Sequence, residues 1–112
     1  MKVKVSELVG KSLDFAVCFA LYGEAAHYIY THSKSINSYS TDWSHAGPII
    51  ESERIQVFPH NGAESWCGVI HKKRDGYIGI LAQDGDTPLI AAMRVYVLGM
   101  LGGEVEVPEV LL

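Results

Sequence analysis

Between positions 87 and 103 the chain carries a single charge, Arg94. The run opens on Asp86 or Thr87 as a capping residue, places Pro88 at the first helical position and ends at Gly102-Gly103, so the spacing predicts a helix. On a helical wheel, Leu89, Ile90, Met93, Tyr96, Val97, Met100 and Leu101 make one broad apolar arc. The reverse side, where a surface helix would be polar, holds Ala91, Ala92, Val95, Leu98 and Gly99. A second helix is expected over 12–22, stopped by Gly23, with Leu13, Ala16, Val17, Ala20 and Leu21 on one face. Its reverse side carries Phe15, Cys18, Phe19 and Tyr22, and Asp14 is its only charge. A helix that is apolar all round must be covered on both sides. A chain of 112 residues, one domain spanning 1–112, has difficulty covering two such helices alone. The expectation is therefore a homo-oligomer with one reverse face at a subunit interface, where Ala91, Ala92 and Gly99 allow close approach. The competing arrangement is a monomer whose sheet and long loop cover both faces.

The remaining segments read mostly as strand and loop. Val3 and Val5 alternate with lysines, and Ser6-Glu7-Leu8 suggests a turn. Residues 27–31 suit a helix extension or a strand. Residues 33–44 are rich in Ser, Thr, Asn and Asp and read as a long loop, a kind of segment that more often binds something than idles. Strands are expected over 54–58, 66–71 and 77–82, the last two joined by a hairpin at 72–76. A short strand or arm follows at 105–107. The fold class is α+β: two helices packed on a small, mostly antiparallel sheet in one domain.

Composition narrows the function. A hydrophobic share of 48% excludes a disordered tail, and the length excludes a nucleotide-binding α/β sheet or a barrel. The net charge is −4, and the one basic cluster, Lys72-Lys73-Arg74, is small, so nucleic-acid binding is disfavoured. Two cysteines build no disulfide framework, and no apolar run approaches the ~20 residues of a membrane span, so a cytoplasmic protein without a membrane is expected.

Two lone charges on apolar helices must be paired, placed at a rim, or used. An Asp14–Arg94 salt bridge is the first expectation. The functional alternative has Arg94 binding an anion, for which its planar donors are suited, with Asp14 orienting it. Residues 39–51 are the most distinctive stretch. Read as a structured loop, Trp43 either plugs the core while Ser40 and Asp42 cap a helix or turn, or stacks on a ring whose polar edge Ser40, Thr41 and Asp42 bond. Gly47-Pro48 is expected to force a turn. The helix start at Thr87 offers free N–H groups to an anion, although Asp84 and Asp86 oppose that. The candidate ligand-binding residues are thus Ser40, Thr41, Asp42, Trp43, Thr87 and Arg94. The five histidines show no metal-ligand spacing, Cys67-x-x-x-His71 is a poorly spaced pair, and no nucleophile motif occurs. Cys18 should be an inert core thiol, and Cys67 could act as a nucleophile only if a histidine came close. No metal, no cofactor and no catalytic set are expected.

The stretch Tyr39-Ser40-Thr41-Asp42-Trp43-Ser44-His45-Ala46-Gly47-Pro48-Ile49-Ile50-Glu51 resembles the NinX-like family of small accessory proteins of lambdoid phages and prophages. So do 86–97, 102–109 and the opening residues with Leu13-Asp14-Phe15-Ala16-Val17. The chain departs from it over 22–37 and 58–85. The resemblance implies a phage gene expressed in a bacterial host and implies no activity. The expected function is a non-enzymatic accessory protein that binds a small anionic ligand, in its sharpest form a host nucleotide signal sequestered to blunt antiphage defence. The alternatives are a regulator that engages a host or phage protein through its apolar helix faces and, third, a small nucleotide hydrolase.

Overall fold

The computed structural model describes residues 1–33, 35–74 and 77–112. The last two residues of the hairpin connection expected at 72–76, Asp75-Gly76, and one residue of the expected loop, Lys34, lie outside them, while 72–74 belong to a strand rather than to the connection. In chain order the elements are β1 (Lys2–Lys4), α1 (Gly10–Tyr22), α2 (Ala25–Ser33), α3 (Trp43–Glu53), β2 (Gln56–Pro59), β3 (Trp66–Arg74), β4 (Tyr77–Gly85), α4 (Pro88–Leu101) and β5 (Glu104–Glu106). Short 3₁₀ turns occupy Val5–Glu7 and Glu109–Leu111. The α+β class holds, with four helices rather than two and two antiparallel sheets rather than one among the described residues.

β1 and β5 pair across the two ends of the chain, Val3 opposite Val105. The other sheet has the order β2-β3-β4, with Val57 opposite Gly68 and Gly68 opposite Gln83. Side chains alternate between faces along a strand, so Val57, Gly68, Ile70, Leu81 and Gly85 share the face turned to α4. Two of these are glycines for a reason. A Cβ on Gly68 would stand 2.6 Å from the Ala91 carbonyl oxygen, and one on Gly85 would stand 2.5 Å from the Ala91 nitrogen. The helix backbone rests on the sheet backbone at these two points.

This contact covers much of the surface on which the subunit-interface expectation rests. On the reverse side of α4, Ala91, Ala92 and Val95 are fully buried within the chain, and Leu98 and Gly99 are half-buried. The back of α1 is covered likewise. There α2 lays His27 and Tyr30 against Phe15, with ring centroids 5.1 and 6.2 Å apart, and His27 also meets Phe19 at 5.8 Å. Only Tyr22, at the open end, is exposed. α2 resolves the helix-or-strand alternative at 27–31. Gly23 ends α1 with φ of 63°, and a new helix begins two residues later.

The largest departure from expectation is α3. Asp42 is its N-cap, its Oδ1 accepting from the Ser44 amide at 2.9 Å and the Ser44 hydroxyl at 2.7 Å. Those two donors hold the Asp42 carboxyl below its ordinary pKa. Gly47-Pro48 forces no turn and lies inside the helix. Proline crowds the Cβ of the residue before it when that residue is helical, and glycine has no Cβ to crowd. The helix ends at Arg54, in a left-handed conformation with φ of 54°.

Candidate functional site

The expected Asp14–Arg94 salt bridge does not form. Arg94 lies midway along α4 and donates through Nε to the Leu8 carbonyl at 2.9 Å and through Nη1 to the Asp84 carbonyl at 2.8 Å. Burial works against its charge, while Asp86 and Asp84 nearby work for it. It ties the chain just ahead of α1 to the end of β4. Asp14 accepts from the Ser40 amide instead, at 2.8 Å. The physical reason is common to both: a lone charge on an apolar helix needs donors or acceptors, and main-chain groups serve as well as an opposite charge.

The other loop residues divide. Ser40 is buried, its amide on Asp14 and its hydroxyl directed at the Gly10 carbonyl at 3.4 Å. Asp42 caps α3, and the Thr87 hydroxyl caps α4 by accepting from the Ile90 amide at 3.1 Å. Thr41 is exposed in a turn where its amide donates to the Ser38 carbonyl. Trp43, in the first turn of α3, does not plug the core: it is 57% exposed. The loop and Thr87 therefore serve separate helix starts, and what the structure gathers is Ser40 with Asp14.

Asp14 is 9% exposed and borders a cleft of about 310 Å³ with Lys11, Tyr30, Ile36, Ser38, Val110 and Leu111. A carboxyl withdrawn from water has its pKa raised, because burial disfavours the charged form; the Ser40 bonds offset part of that rise. One turn ahead on α1, Lys11 contributes a cation to the same cleft. Tyr30 and Ile36 supply apolar wall. A buried acid with a displaced pKa at the edge of a cleft marks a candidate site. The sequence marks Asp14 but not its setting, because Tyr30, Ile36 and Val110 join Lys11 and Asp14 at the cleft only through tertiary packing.

A second cluster lies on the sheet face turned away from α4. There His60, Cys67 and Asp84 bring one ligand-type atom each to within 4.8 Å of one another, and His60 Nε2 is 2.7 Å from Asp84 Oδ1. Residue spacing does not reveal it because its members stand on two strands and on the turn after a third. Cys67 and Asp84 are direct cross-strand partners, and His60 directly follows β2. The connection expected at 72–76 sets Cys67 opposite Leu81; β3 instead runs on to Arg74 opposite Tyr77, and that register puts Asp84 there. A histidine has thus come close to Cys67, the condition for a nucleophile. Yet burial and the Asp84 carboxylate push the thiol's pKa up, and a thiol kept protonated is a poor nucleophile. Cys18 is buried on α1, and burial raises its pKa too.

The same outer face carries Phe58, Val69, Ile80 and Ala82, with Ile80 66% and Phe58 44% exposed. Among the described residues, no helix is long and apolar enough to cross a membrane. Residues 4–99 match the profile of the family described as bacteriophage P22, NinX. No curated protein matches the chain.

Proposed function

The chain belongs to the bacteriophage P22 NinX family, and from that premise we propose that it is a phage accessory protein of the host cytoplasm that binds, without turnover, a small ligand in the Asp14 cleft. The observation that carries this reading is the buried carboxyl of Asp14 facing a cleft that also holds Lys11. Such a pair suits a ligand with a hydrogen-bond donor at one end and an anionic group at the other. A nucleotide fits that description. Ring N–H or amino groups of the base donate to Asp14, Tyr30 and Ile36 flank the base, and Lys11 meets phosphate. Sequestration of a host nucleotide signal, blunting antiphage defence, is the sharpest form of the reading.

The test is a thermal-shift screen of the purified chain against nucleotides and cyclic nucleotide signals. A ligand at a hundred times its Kd adds about 2.7 kcal/mol, a rise of about 10 °C for a chain of this length. The rise should vanish in Asp14→Asn and Lys11→Ala, and the ligand should be recovered intact after denaturation. Shifts that survive both substitutions would overturn the cleft assignment, and a converted ligand would indicate an enzyme.

The exposed sheet face favours a second reading. Phe58 and Ile80 offer an apolar surface to a protein partner, whether a host protein, a phage protein or a second copy of this chain. The sheet thus adds a docking surface for such a regulator to the helix faces, where Leu21, Tyr22 and Met100 are exposed as well. Retention of a partner should be lost in Ile80→Asp and kept in Asp14→Asn. Light scattering distinguishes the second copy from a different protein.

A further inference from the structure

We propose that His60, Cys67 and Asp84 form a three-ligand site for a zinc-class divalent cation, with the fourth coordination position open to solvent. The site is separate from the Asp14 cleft and shares no residue with it.

Three observations carry it. The first is the donor set. One imidazole nitrogen, one thiol sulfur and one carboxylate oxygen within 4.8 Å of one another are the three ligand types that zinc accepts, at about 2.0–2.3 Å each. The thiol argues against calcium or magnesium, which take oxygen, and three mixed ligands match an open site rather than a closed four-cysteine one.

The second is preorganisation by the fold. β3 sets Cys67 opposite Asp84 in register, so both side chains leave the sheet on the same side. His60 is returned to that side by a closed turn: its amide donates to the Ser65 carbonyl at 3.0 Å, the Ala63 amide donates to the His60 carbonyl at 3.3 Å, and Gly62 takes φ of 73°. β3 and β4 therefore contribute one ligand each and the turn after β2 the third, and the main chain at Asp84 is held by Arg94. Ligands fixed by backbone pairing lose little freedom when the metal binds.

The third is access. Cys67 is buried while the His60 and Asp84 side chains are 36% and 69% exposed. The cation enters from solvent over an anchored sulfur, and water takes the fourth position. On binding, Cys67 releases its proton to solvent and the metal–sulfur bond forms. The cation then clips β2, β3 and β4 together at the end of the sheet remote from the 75–76 connection.

The test uses the full chain, freed of metal by a chelator and titrated with Zn²⁺ and with Co²⁺. One equivalent should bind. Co²⁺ should give a sulfur-to-metal charge-transfer band together with the visible bands of tetrahedral cobalt, and Zn²⁺ should raise Tm. Cys67→Ser should remove the charge-transfer band, and Cys18→Ser should leave it unchanged. His60→Ala and Asp84→Asn, which alter exposed or half-exposed side chains and should keep the native circular dichroism, should each weaken Zn²⁺ binding at least as much as the 10–100-fold that loss of an outer-shell partner costs. Three outcomes would overturn the proposal: no stoichiometric binding, binding without a sulfur band, or a band that survives Cys67→Ser.

Discussion

Removing Arg94 tests whether the one charge on α4 is a strut or a ligand hook. The guanidinium spans two main-chain carbonyls, Leu8 and Asp84, and hydrogen bonds to charged groups contribute about 1.5–3 kcal/mol each. The two bonds are unequal. Leu8 is fully buried, so Arg94→Ala leaves its carbonyl short of a donor and exacts nearly the full value. The bond to Asp84 is exposed, and water replaces it at little loss. The sum is about 2–4 kcal/mol. Unfolding entropy near 2.1 cal/mol/K per residue makes 1 kcal/mol worth about 4 °C in a chain this long. Arg94→Ala should therefore melt about 8–16 °C lower by circular dichroism. Arg94→Lys should recover only part of that, since one ammonium on a flexible stem does not reproduce a planar fork. Any ligand-induced rise in Tm should keep its size in both variants. A drop smaller than about 2 °C would refute the strut and return Arg94 to the anion-binding role.

Two further outcomes follow from the geometry. Gly68→Ala and Gly85→Ala push a methyl group against the backbone of Ala91, which no rotamer change relieves; overpacking of this kind costs about 1–3 kcal/mol, or about 4–12 °C in a thermal melt. Gly103→Ala, with open space around it and no positive φ, should stay within about 2 °C. Asp14 gives a pH signature. Its folded-state pKa is raised, so the folded chain holds that proton more tightly than the unfolded one. Its contribution favours folding below the ordinary carboxylate pKa and is lost as pH rises through the raised value. Asp14→Asn keeps an acceptor for the Ser40 amide and removes the charge. Its Tm should equal or exceed the parent's at pH 7, with the difference closing in acid; a loss of several degrees at pH 7 would contradict this.

What the sequence disclosed was local. The start and end of α4 and the pairing of β3 with β4 were legible because each is signalled within a few residues, by Thr87-Pro88, by Gly102-Gly103 and by a turn between two β-prone runs. α3 was not, because Gly47-Pro48 has two uses. It breaks most helices, but here the glycine relieves the strain that would otherwise stop the proline. The Asp14–Arg94 pair failed for a related reason. Side-chain reasoning looks for partners among side chains, and both charges found main-chain groups through contacts 26 and 86 residues away in sequence. The Asp14 cleft and the His60–Cys67–Asp84 cluster were out of reach of spacing rules because tertiary structure assembles them. Even the Cys67–Asp84 half was hidden, because a connection over 72–76 sets Cys67 opposite Leu81, whereas β3 extends to Arg74 and moves the register to Asp84.

The surplus of apolar residues has also moved. The sequence places it on the backs of two helices, where it predicts a subunit interface. In the folded chain α4 is an inner wall, with the sheet backbone against Ala91 and α1 on its other side, and α2 closes over Phe15. Most of those surfaces are covered within one chain, while Leu21, Tyr22 and Met100 stay exposed toward the helix ends. The outer face of β2-β3-β4 is open too, and there Phe58 and Ile80 stand in solvent on the side that carries the His60–Cys67–Asp84 cluster. That face has a built-in control: Ile80→Asp disturbs the apolar surface while leaving all three candidate metal ligands in place, so loss of a partner and loss of a metal can be read separately.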